Sequence, residues 1–390
     1  MMRPNGRAFK DERVTIMAFG LTKKELSWVL YDVGNSAFVM LSTALIPVYF
    51  ASIADPGSSV VVAWGYAETV ASLVLALLMP VLGSLADLAG NKKKFLVGFA
   101  GTGAVACAAL GIPEHALSFL VVYVIAAIML NGSMVFYDAF LVDATTEERY
   151  DKVSSHGYAW GYIGSCIPFI ACLAVVLGGS SFGIDAKLGM KIAFIITAAW
   201  WVVFTVPVAK NVKQLHGKKR SDHVLRTTIS GLKGTVKSIV KDKRLLFFML
   251  AFFFYIDGVH TVIKMSTSYG TDLGIDSTQL VLALLVTQFV AFPSAIAYGN
   301  LAKRFGTKRM LKVGVLAYFF IVLFAAFFLK SAVEFWILAI CVGLFQGGIQ
   351  ALSRSEYGKL IPKEHANEYY GFFDIFGKYA AVMGTFLVSA

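Results

Sequence analysis

Charged residues are scarce in this chain. Asp, Glu, Lys and Arg make up 15% of its 390 residues, against 57% hydrophobic residues, whereas a soluble domain carries about 25% charged residues. This composition excludes a soluble globular protein and predicts membrane spans of about 20 residues each. The net charge of +11 does not indicate nucleic-acid binding, because basic residues are typical of the cytoplasmic loops that orient membrane proteins.

Cysteine is also rare, and motifs of catalysis are missing. The four cysteines lie inside apolar runs without metal-ligand spacing, at Cys107, Cys166, Cys172 and Cys341. They are typical of small packing residues in helices, so we expect neither disulfides nor a metal site. No phosphate-binding loop and no nucleophile–base motif occurs. The sequence therefore predicts no enzyme and no cofactor. The polar, basic residues 1–26 also predict no cleavable signal peptide.

Long apolar runs divide the chain into eleven predicted membrane spans. The runs cover residues 27–51, 60–83, 94–112, 117–142, 154–178, 189–209, 245–269, 278–300, 310–330, 333–355 and 367–390. We therefore predict an all-α polytopic membrane protein with two pseudo-symmetric helical bundles. Its parts are a cytoplasmic N-terminal segment (1–26), a six-helix bundle (27–209), a cytoplasmic basic linker (210–244) and a second bundle (245–390). Because the second bundle has five spans against six, we expect a twelfth helix to be missing from this sequence; the alternative is a protein with eleven spans.

Basic residues orient the predicted spans. They are concentrated in 1–26, in the loop after the second span, in 210–244 and in the loop after the eighth span. The opposite loops hold only Lys187, Lys191 and Lys330. Loops rich in lysine and arginine stay on the cytoplasmic side of a membrane. We therefore expect a multi-pass protein of the cell membrane whose N-terminus lies in the cytoplasm.

A short phrase between apolar runs occurs twice. Residues 83–93 and 299–309 both have the form G-x-L-A-x-x-x-G-x-K-[KR], at an offset of 216 residues. Such a duplication indicates two bundles related by an axis along the membrane normal, with a substrate path between them.

The residues of the repeated phrase predict a gate. Glycines permit tight turns and close helix approach, and charged residues can reach helix ends on the cytoplasmic face. Such contacts would exist only while that face is closed; the alternative is that the phrase only marks topology. The predicted gating residues are Gly83, Asp87, Gly90, Lys92, Gly299, Gly306 and Lys308. Lys303 stands in the second copy where the first has Asp87, so the two loops cannot make identical contacts.

Polar residues inside the predicted spans are concentrated on equivalent helices of the two halves. They lie in spans 1, 4, 7 and 10, where each set occupies one helical face. A charge at the centre of a bilayer costs at least about 2.5–3.5 kcal/mol, so intramembrane ionisable residues are functional by default. We therefore expect these faces to line a shared aqueous cavity. The candidates for a substrate or proton path are Asp32, Asn35, Asn131, Asp138, Tyr255, Asp257, His260, Lys264, Gln346, Gln350 and Arg354.

The repeated phrase resembles the signature loop of the major facilitator superfamily, although Leu88 and Asn91 stand where arginines are usual. More specific stretches in both halves resemble the vacuole-effluxer-like transporters, typified by the fungal vacuolar amino-acid effluxer. These stretches are residues 27–38, 136–141, 347–355 and 371–378. The resemblance implies a major facilitator fold and a secondary transporter that moves amino acids or related small metabolites outward.

Roles for the charged residues follow as hypotheses. We expect Asp32 and Asp138 to bind a coupling proton or a substrate ammonium, and Arg354, with Lys264 second, to bind a substrate carboxylate. A cavity with both signs of charge suits an amino acid. The alternative is structural: the acids neutralise Arg354 or Lys264 and hold the halves together. The expected partners are a small-molecule substrate, protons and the lipid bilayer, for a monomer that binds no nucleic acid.

Other functions remain open from the sequence. The first alternative is a drug, organic-anion or sugar transporter of the same fold, which a wide substrate range in flux assays would favour. The second is a non-transporting membrane sensor or lipid scramblase, which lipid flipping without solute flux would favour.

Overall fold

The computed structural model describes residues 18–54, 59–218 and 224–389. Within these ranges the regular secondary structure is helical, apart from isolated bridge positions such as the pair Leu88 and Lys218. Side chains are described except at residues 18, 61, 224–230, 264–268, 272, 277 and 381–389. The predicted all-α fold class is therefore confirmed over the described residues.

The first half is built from the helices that precede the linker. In chain order they are α1 (Lys23–Ala44), α2 (Ile46–Ile53), α3 (Val60–Ala86), α4 (Lys92–Ala109), α5 (Ala116–Ala139), α6 (Leu141–Ala144), α7 (Tyr150–Gly178) and α8 (Ala186–Asn211). The pair α1–α2 is one apolar segment bent by 44°. Phe140 alone separates α5 from α6.

The second half follows the same plan after one extra helix. Its helices are α9 (Val224–Lys241), α10 (Lys243–Asp272), α11 (Ser277–Phe305), α12 (Thr307–Phe328), α13 (Ala332–Leu360) and α14 (Ala366–Ser389). The sequence reasoning missed α9, which lies inside the predicted polar linker. This helix is amphipathic: it buries Thr235 and Ile239 while Lys233 and Lys237 are exposed. Apolar residues three and four apart in the linker carried that signal.

Helices occupy all eleven predicted spans, but fewer of them are unambiguous membrane spans. Among the described residues, eight helices are long and apolar enough to cross a membrane, and the bent pair α1–α2 makes a ninth. The helix α4 has only 18 residues and begins with three lysines. The helix α14 carries Glu368, Asp374 and Lys378. The three lysines lower the hydropathy of α4, whereas the side chains of α14 from residue 381 onward lie outside the described residues.

Side-chain caps start several of these helices. Thr22 and Glu25 form a capping box at the start of α1, in which each side chain accepts a hydrogen bond from the other residue's backbone N–H. At the opposite end of the bundle, Asp185 and Asp276 cap α8 and α11 by accepting backbone N–H groups. These side chains satisfy N–H groups that have no partner inside a helix.

The offset of the repeated phrase also relates the helices. Adding 216 to the first residue of α5 and to the last residue of α6 gives the first and last residues of α13. Adding it to the first residue of α7 gives the first residue of α14. The two halves therefore share one plan, and from the repeated phrase onward residues 216 positions apart occupy equivalent places.

The halves meet along two helices. α7 packs on α11 and α13 of the second half, and α14 packs on α3 and α5 of the first. A Cβ atom at Gly299 would lie 2.7 Å from Cβ of Ser155, and one at Gly83 would lie 2.6 Å from the carbonyl oxygen of Asn367. Gly83 and Gly299, two of the predicted gating glycines, thus permit close approach of the halves. This contact lies at the end of the bundle that carries the repeated phrase, which is termed the basic end.

Candidate functional site

Arg354 lies between the halves in a buried polar cluster. Its Nη1 lies 2.9 Å from Oδ1 of Asp138 and 3.6 Å from Oδ2 of Asp32. Its Nε donates to Oγ of Ser154 at 2.9 Å, and its Nη2 donates to the Ser154 carbonyl oxygen at 3.0 Å. These four residues, termed the central cluster, join α13 of the second half to α1, α5 and α7 of the first.

Aromatic rings enclose the guanidinium group. Cζ of Arg354 lies 4.3 Å from the ring centroid of Tyr158, 4.7 Å from that of Trp28 and 5.3 Å from that of Tyr137. Such stacking attracts a cation to the ring faces. A Cβ atom at Gly157 would lie 2.9 Å from Nη2 of Arg354, so α7 needs a glycine there to come this close.

The central cluster has one more acid than base. Besides the distant contact with Arg354, Asp32 accepts a hydrogen bond from the Tyr137 hydroxyl at 3.0 Å, and Nδ2 of Asn35 lies 3.5 Å from its Oδ1. With Asp138, two carboxyl groups therefore face one guanidinium. Burying an uncompensated charge is costly, so a proton or another cation is needed to balance the cluster.

The pairing of Asp138 with Arg354 follows from the pseudo-symmetry. The two residues are 216 positions apart and so occupy equivalent places in the two halves. A two-fold axis brings equivalent residues face to face wherever they lie close to it. Because these two carry opposite charges, the contact is attractive.

Other predicted path residues lie outside the central cluster. Asn131 donates to the carbonyl oxygen of Ala127 in its own helix at 2.7 Å. The hydroxyl groups of Tyr255 and Ser353 lie 2.6 Å apart and join α10 to α13. Gln350 is half-buried on α13.

The remaining candidates lie on α10 and farther along α13. Asp257 and His260 are half-buried and one turn apart on α10. The side chain of Lys264 lies outside the described residues, so its predicted role stays a prediction. Gln346 is buried and faces a separate cavity within the second half.

In the first copy of the repeated phrase, Asp87 binds the start of α14. Its Oδ1 accepts from N and Nδ2 of Asn367 at 2.9 and 2.8 Å, and its Oδ2 accepts from N of Glu368 at 3.0 Å. The first N–H groups of a helix and its dipole favour an anion at this place. Burial nevertheless raises the pKa of Asp87 to about 6, against the opposing effects of Lys92 and of these donors.

The lysines of the phrase contact their own halves. Nζ of Lys92 lies 2.6 Å from Oδ2 of Asp143, and both side chains are fully buried. Burial alone would raise the pKa of Asp143, but Lys92 and His216 hold it below its usual value. Lys308 is 74% exposed and lies 3.7 Å from Oε1 of Glu356. Neither contact crosses between the halves, and the expectation that such lysine contacts exist only while the face is closed stays a prediction.

In the second copy of the repeated phrase, the acid of the contact comes from the other half of the protein and not from the phrase. Lys303 is exposed, and the acid is Asp151 at the start of α7, which is equivalent to Asn367. Oγ1 of Thr307 donates to Oδ2 of Asp151 at 2.7 Å, and Nζ of Lys359 lies 2.8 Å from both oxygens. The two loops therefore join the halves through different chemistry, in line with the difference between the two copies.

The turns of the phrase need glycine. Gly90 and Gly306 have φ angles of +84° and +89°, in the region that other residues rarely adopt. These two predicted gating glycines thus form tight turns at the basic end, Gly90 two residues before α4 and Gly306 directly before α12.

Sequence reasoning missed the contribution of α7. Ser154 and Tyr158 bind Arg354 from this helix, yet a hydroxyl or phenol group does not stand out in an apolar run. A signal was available: Gly157, Gly161 and Gly164 lie on one helical face, which is typical of close helix packing in membranes.

The sequence is similar to those of membrane transporters. Residues 57–390 match the family model of Atg22-like vacuole effluxers. The MFS-type transporter YxiO of Bacillus subtilis (strain 168) is 46% identical over 377 residues, which are 94% of this chain and 88% of that protein. Autophagy-related protein 22 of Cryptococcus neoformans var. neoformans serotype D (strain JEC21 / ATCC MYA-565) is 27% identical over 256 residues, which are 60% of this chain. The match spans 44% of that fungal protein.

Solved structures share the fold. The human organic anion transporter MFSD10 (TETRAN) has a TM-score of 0.68 at 13% identity, covering 93% of this chain and 91% of its own. The MFS transporter FucP in its outward conformation has a TM-score of 0.68 at 13% identity, covering 93% and 90%. At such identities the likeness shows the fold alone. Together with the family match over most of its length, it makes this chain a multi-pass membrane transporter of the major facilitator superfamily that belongs to the Atg22-like vacuole effluxer family.

Proposed function

We propose that this protein is a proton-coupled secondary transporter that moves amino acids or related zwitterionic metabolites by alternating access. The observation that carries the proposal is the central cluster, where Asp32 and Arg354 are buried between the halves and Asp138 is half-buried. Alternating access needs contacts that form in one state and separate in the other. A cluster with both signs of charge supplies a proton site and a carboxylate site together.

Asp32 is the proton site in this proposal. Asp138 lies 2.9 Å from Nη1 of Arg354, whereas Asp32 lies 3.6 Å away, so Asp138 is the ion-pair partner and Asp32 the surplus acid. A proton on Asp32 makes the cluster neutral and favours closure of the halves around it. When the halves part at the basic end, water solvates the carboxylate and the proton leaves.

Arg354 takes the substrate carboxylate only after the halves part. In the closed arrangement Asp138 and Ser154 occupy its donors, and its side chain is 1% exposed. Opening withdraws Asp138 and leaves the guanidinium able to make a bidentate contact with a carboxylate. Substrate and Asp138 therefore compete for Arg354. Solute loading at Arg354 and proton release from Asp32 therefore both belong to the arrangement in which the halves have parted at the basic end.

The basic end faces the cytoplasm in this proposal, because loops rich in lysine and arginine stay on that side. The protein then lies in the cell membrane with its N-terminus in the cytoplasm and acts as a monomer. Solute loaded at Arg354 leaves the cell while protons enter, which makes the transporter an effluxer.

Flux measurements in proteoliposomes test the proposal. Labelled amino acids, organic anions and sugars are compared with and without a pH gradient. Wild-type protein should move amino acids faster with the gradient. Asp32→Asn should keep solute exchange but lose its dependence on the gradient, and Arg354→Gln should lose both. Lys187→Gln, exposed at the opposite end, is the control and should match wild type.

The outcomes separate the parts of the proposal. If wild-type protein moves organic anions or sugars but no amino acid, the substrate assignment is wrong. If Asp32→Asn responds to the gradient as wild type does, Asp32 is not the proton site. If Arg354→Gln is folded and transports normally, Arg354 does not bind the solute.

A further inference from the structure

A cavity lies inside the second half, away from the central cluster. It is bounded by α10, α11 and α13 and has a volume of about 60 Å³. Its apolar wall includes Leu280, Leu284, Phe335 and Leu338. Since one water molecule needs on the order of 15 Å³ of such space, the cavity holds about four water-sized groups.

Two buried amides face this cavity without a partner. Gln288 on α11 and Gln346 on α13 line it and are 9% and 4% exposed. Neither side chain makes a hydrogen bond to another residue that the structure describes. Thr287, also in the wall, is satisfied, because its Oγ1 donates to the carbonyl oxygens of Ala283 and Ala339 at 2.9 and 3.2 Å. Buried amides are normally hydrogen-bonded, so a molecule inside the cavity, water or solute, is the available partner of this pair.

We propose that this cavity binds the side chain of the transported solute, and that this side chain is a short apolar stem ending in an amide or hydroxyl group. Each glutamine amide both donates and accepts hydrogen bonds, which matches such a group. No charged residue is among those described as lining the cavity. A charged side chain would therefore lose its water without gaining a counter-ion. The inference rests on the proposed function and narrows its substrate class to neutral polar amino acids.

The cavity and the central cluster lie at different positions along α13 and have different roles in this proposal. Gln346 and Arg354 are eight residues apart on α13, which is about 12 Å along the helix axis. Selection by side chain is thereby separated from competition for the solute carboxylate. Because Leu284 and Phe335 belong to α11 and α13 of one half, selection needs no residue from the other half.

Substitutions that remove only the amides test this inference. Gln288→Leu and Gln346→Leu keep the approximate size of the side chain, and Gln279→Leu, at an exposed position on the same helix, is the matched control. Apparent affinities are measured by competition of L-glutamine, L-glutamate and L-leucine against uptake of labelled L-glutamine in proteoliposomes. Melting temperatures without solute verify that each variant is folded.

Wild-type protein should prefer glutamine over its charged analogue glutamate by at least tenfold. Each cavity variant should bind glutamine about tenfold more weakly and discriminate less against leucine. Without solute, both variants should melt no lower than wild type, because each loses an unpartnered amide. Gln279→Leu should match wild type in both measurements.

Three results would overturn the inference. Glutamate that competes as well as glutamine would exclude a cavity for neutral groups. Cavity variants with wild-type affinity for glutamine would exclude the amides as ligands, even though amino-acid transport itself persisted. If wild-type protein transports no amino acid, the proposed function is wrong, and the inference that rests on it is wrong as well.

Discussion

The contact between Asp138 and Arg354 provides the sharpest test of how the halves close. Asp138→Asn keeps the shape of the side chain and leaves Asp32 as the single carboxyl opposite the guanidinium. Arg354→Gln instead leaves both carboxyl groups without a counter-charge. The two variants remove the same ion pair of 2.9 Å, yet the charge balance predicts different losses.

The magnitudes follow from burial. Removing one partner of a buried ion pair costs about 3–5 kcal/mol, and this range applies to Arg354→Gln because the arginine side chain is 1% exposed. Asp138→Asn exchanges a charged hydrogen bond of about 1.5–3 kcal/mol for a neutral one of about 0.5–1.5 kcal/mol. The resulting loss of about 1–2 kcal/mol raises the ratio of open to closed molecules roughly 5–30-fold. Arg354→Gln should raise it by more than about 100-fold.

Distances between spin labels measure this ratio. Ala89 and Glu364 are exposed at the basic end, one in each half. Once the native cysteines are replaced by alanine, cysteines at these two positions carry the labels, and pulsed electron paramagnetic resonance resolves the closed and open populations. The double exchange Asp138→Arg with Arg354→Asp should recover part of the closed population, because the two positions are equivalent.

Three outcomes would refute the reasoning. Equal shifts in the two single variants would contradict the role of charge balance. An unchanged distance distribution in Arg354→Gln would mean that the central cluster does not hold the halves together. A double exchange that is more open than either single variant would mean that the surrounding rings outweigh the ion pair.

Three further predictions concern the basic end. Asp87→Ala removes three hydrogen bonds to the start of α14, at about 1 kcal/mol each, so the ratio of open to closed molecules should rise roughly 100-fold in the same distance measurement. Burial raises the pKa of Asp87 from 3.8 to about 6. Protonation of Asp87 therefore stabilises the closed arrangement, and this contribution is complete when the pH is below 3.8. That contribution is lost as the pH rises through about 6; a closed population that grows from pH 5 to pH 7 would contradict this sign. Lys92→Met leaves the buried Asp143 unpaired and should reduce the free energy of unfolding by about 3–5 kcal/mol, whereas the exposed Lys94→Met should change it little; equal melting temperatures would exclude a stabilising role for the pair.

Several features of the fold were predictable because they are encoded locally. Apolar runs of span length and the repeated phrase predicted the helical segments and the two-fold plan, and the structure confirms the fold class. The linker helix α9 was not predicted because it contains no long apolar run. Its signal is an amphipathic spacing within a polar, basic segment. Its buried Thr235 and Ile239 lie four residues apart.

The central cluster was only partly predictable. Asp32, Asp138 and Arg354 stand out in sequence, because a charge inside an apolar run is costly and therefore rare. Their grouping stayed one alternative among several, since Lys264 was an equally available partner for either acid. Ser154 on α7 gave no comparable signal, because a hydroxyl group is common in membrane helices and its contact depends on where α7 lies.

The sequence by itself determined the class of molecule, the course of its helices and the equivalence of residues 216 positions apart, because hydropathy, length and repetition act along the chain. Only the tertiary structure decided which equivalent residues meet. Asp138 and Arg354 face each other because both lie near the pseudo-two-fold axis, whereas Lys92 and Lys308 lie away from it and bind within their own halves. Distance from that axis is a property of the packed bundles, and packing depends on side chains from both halves at once.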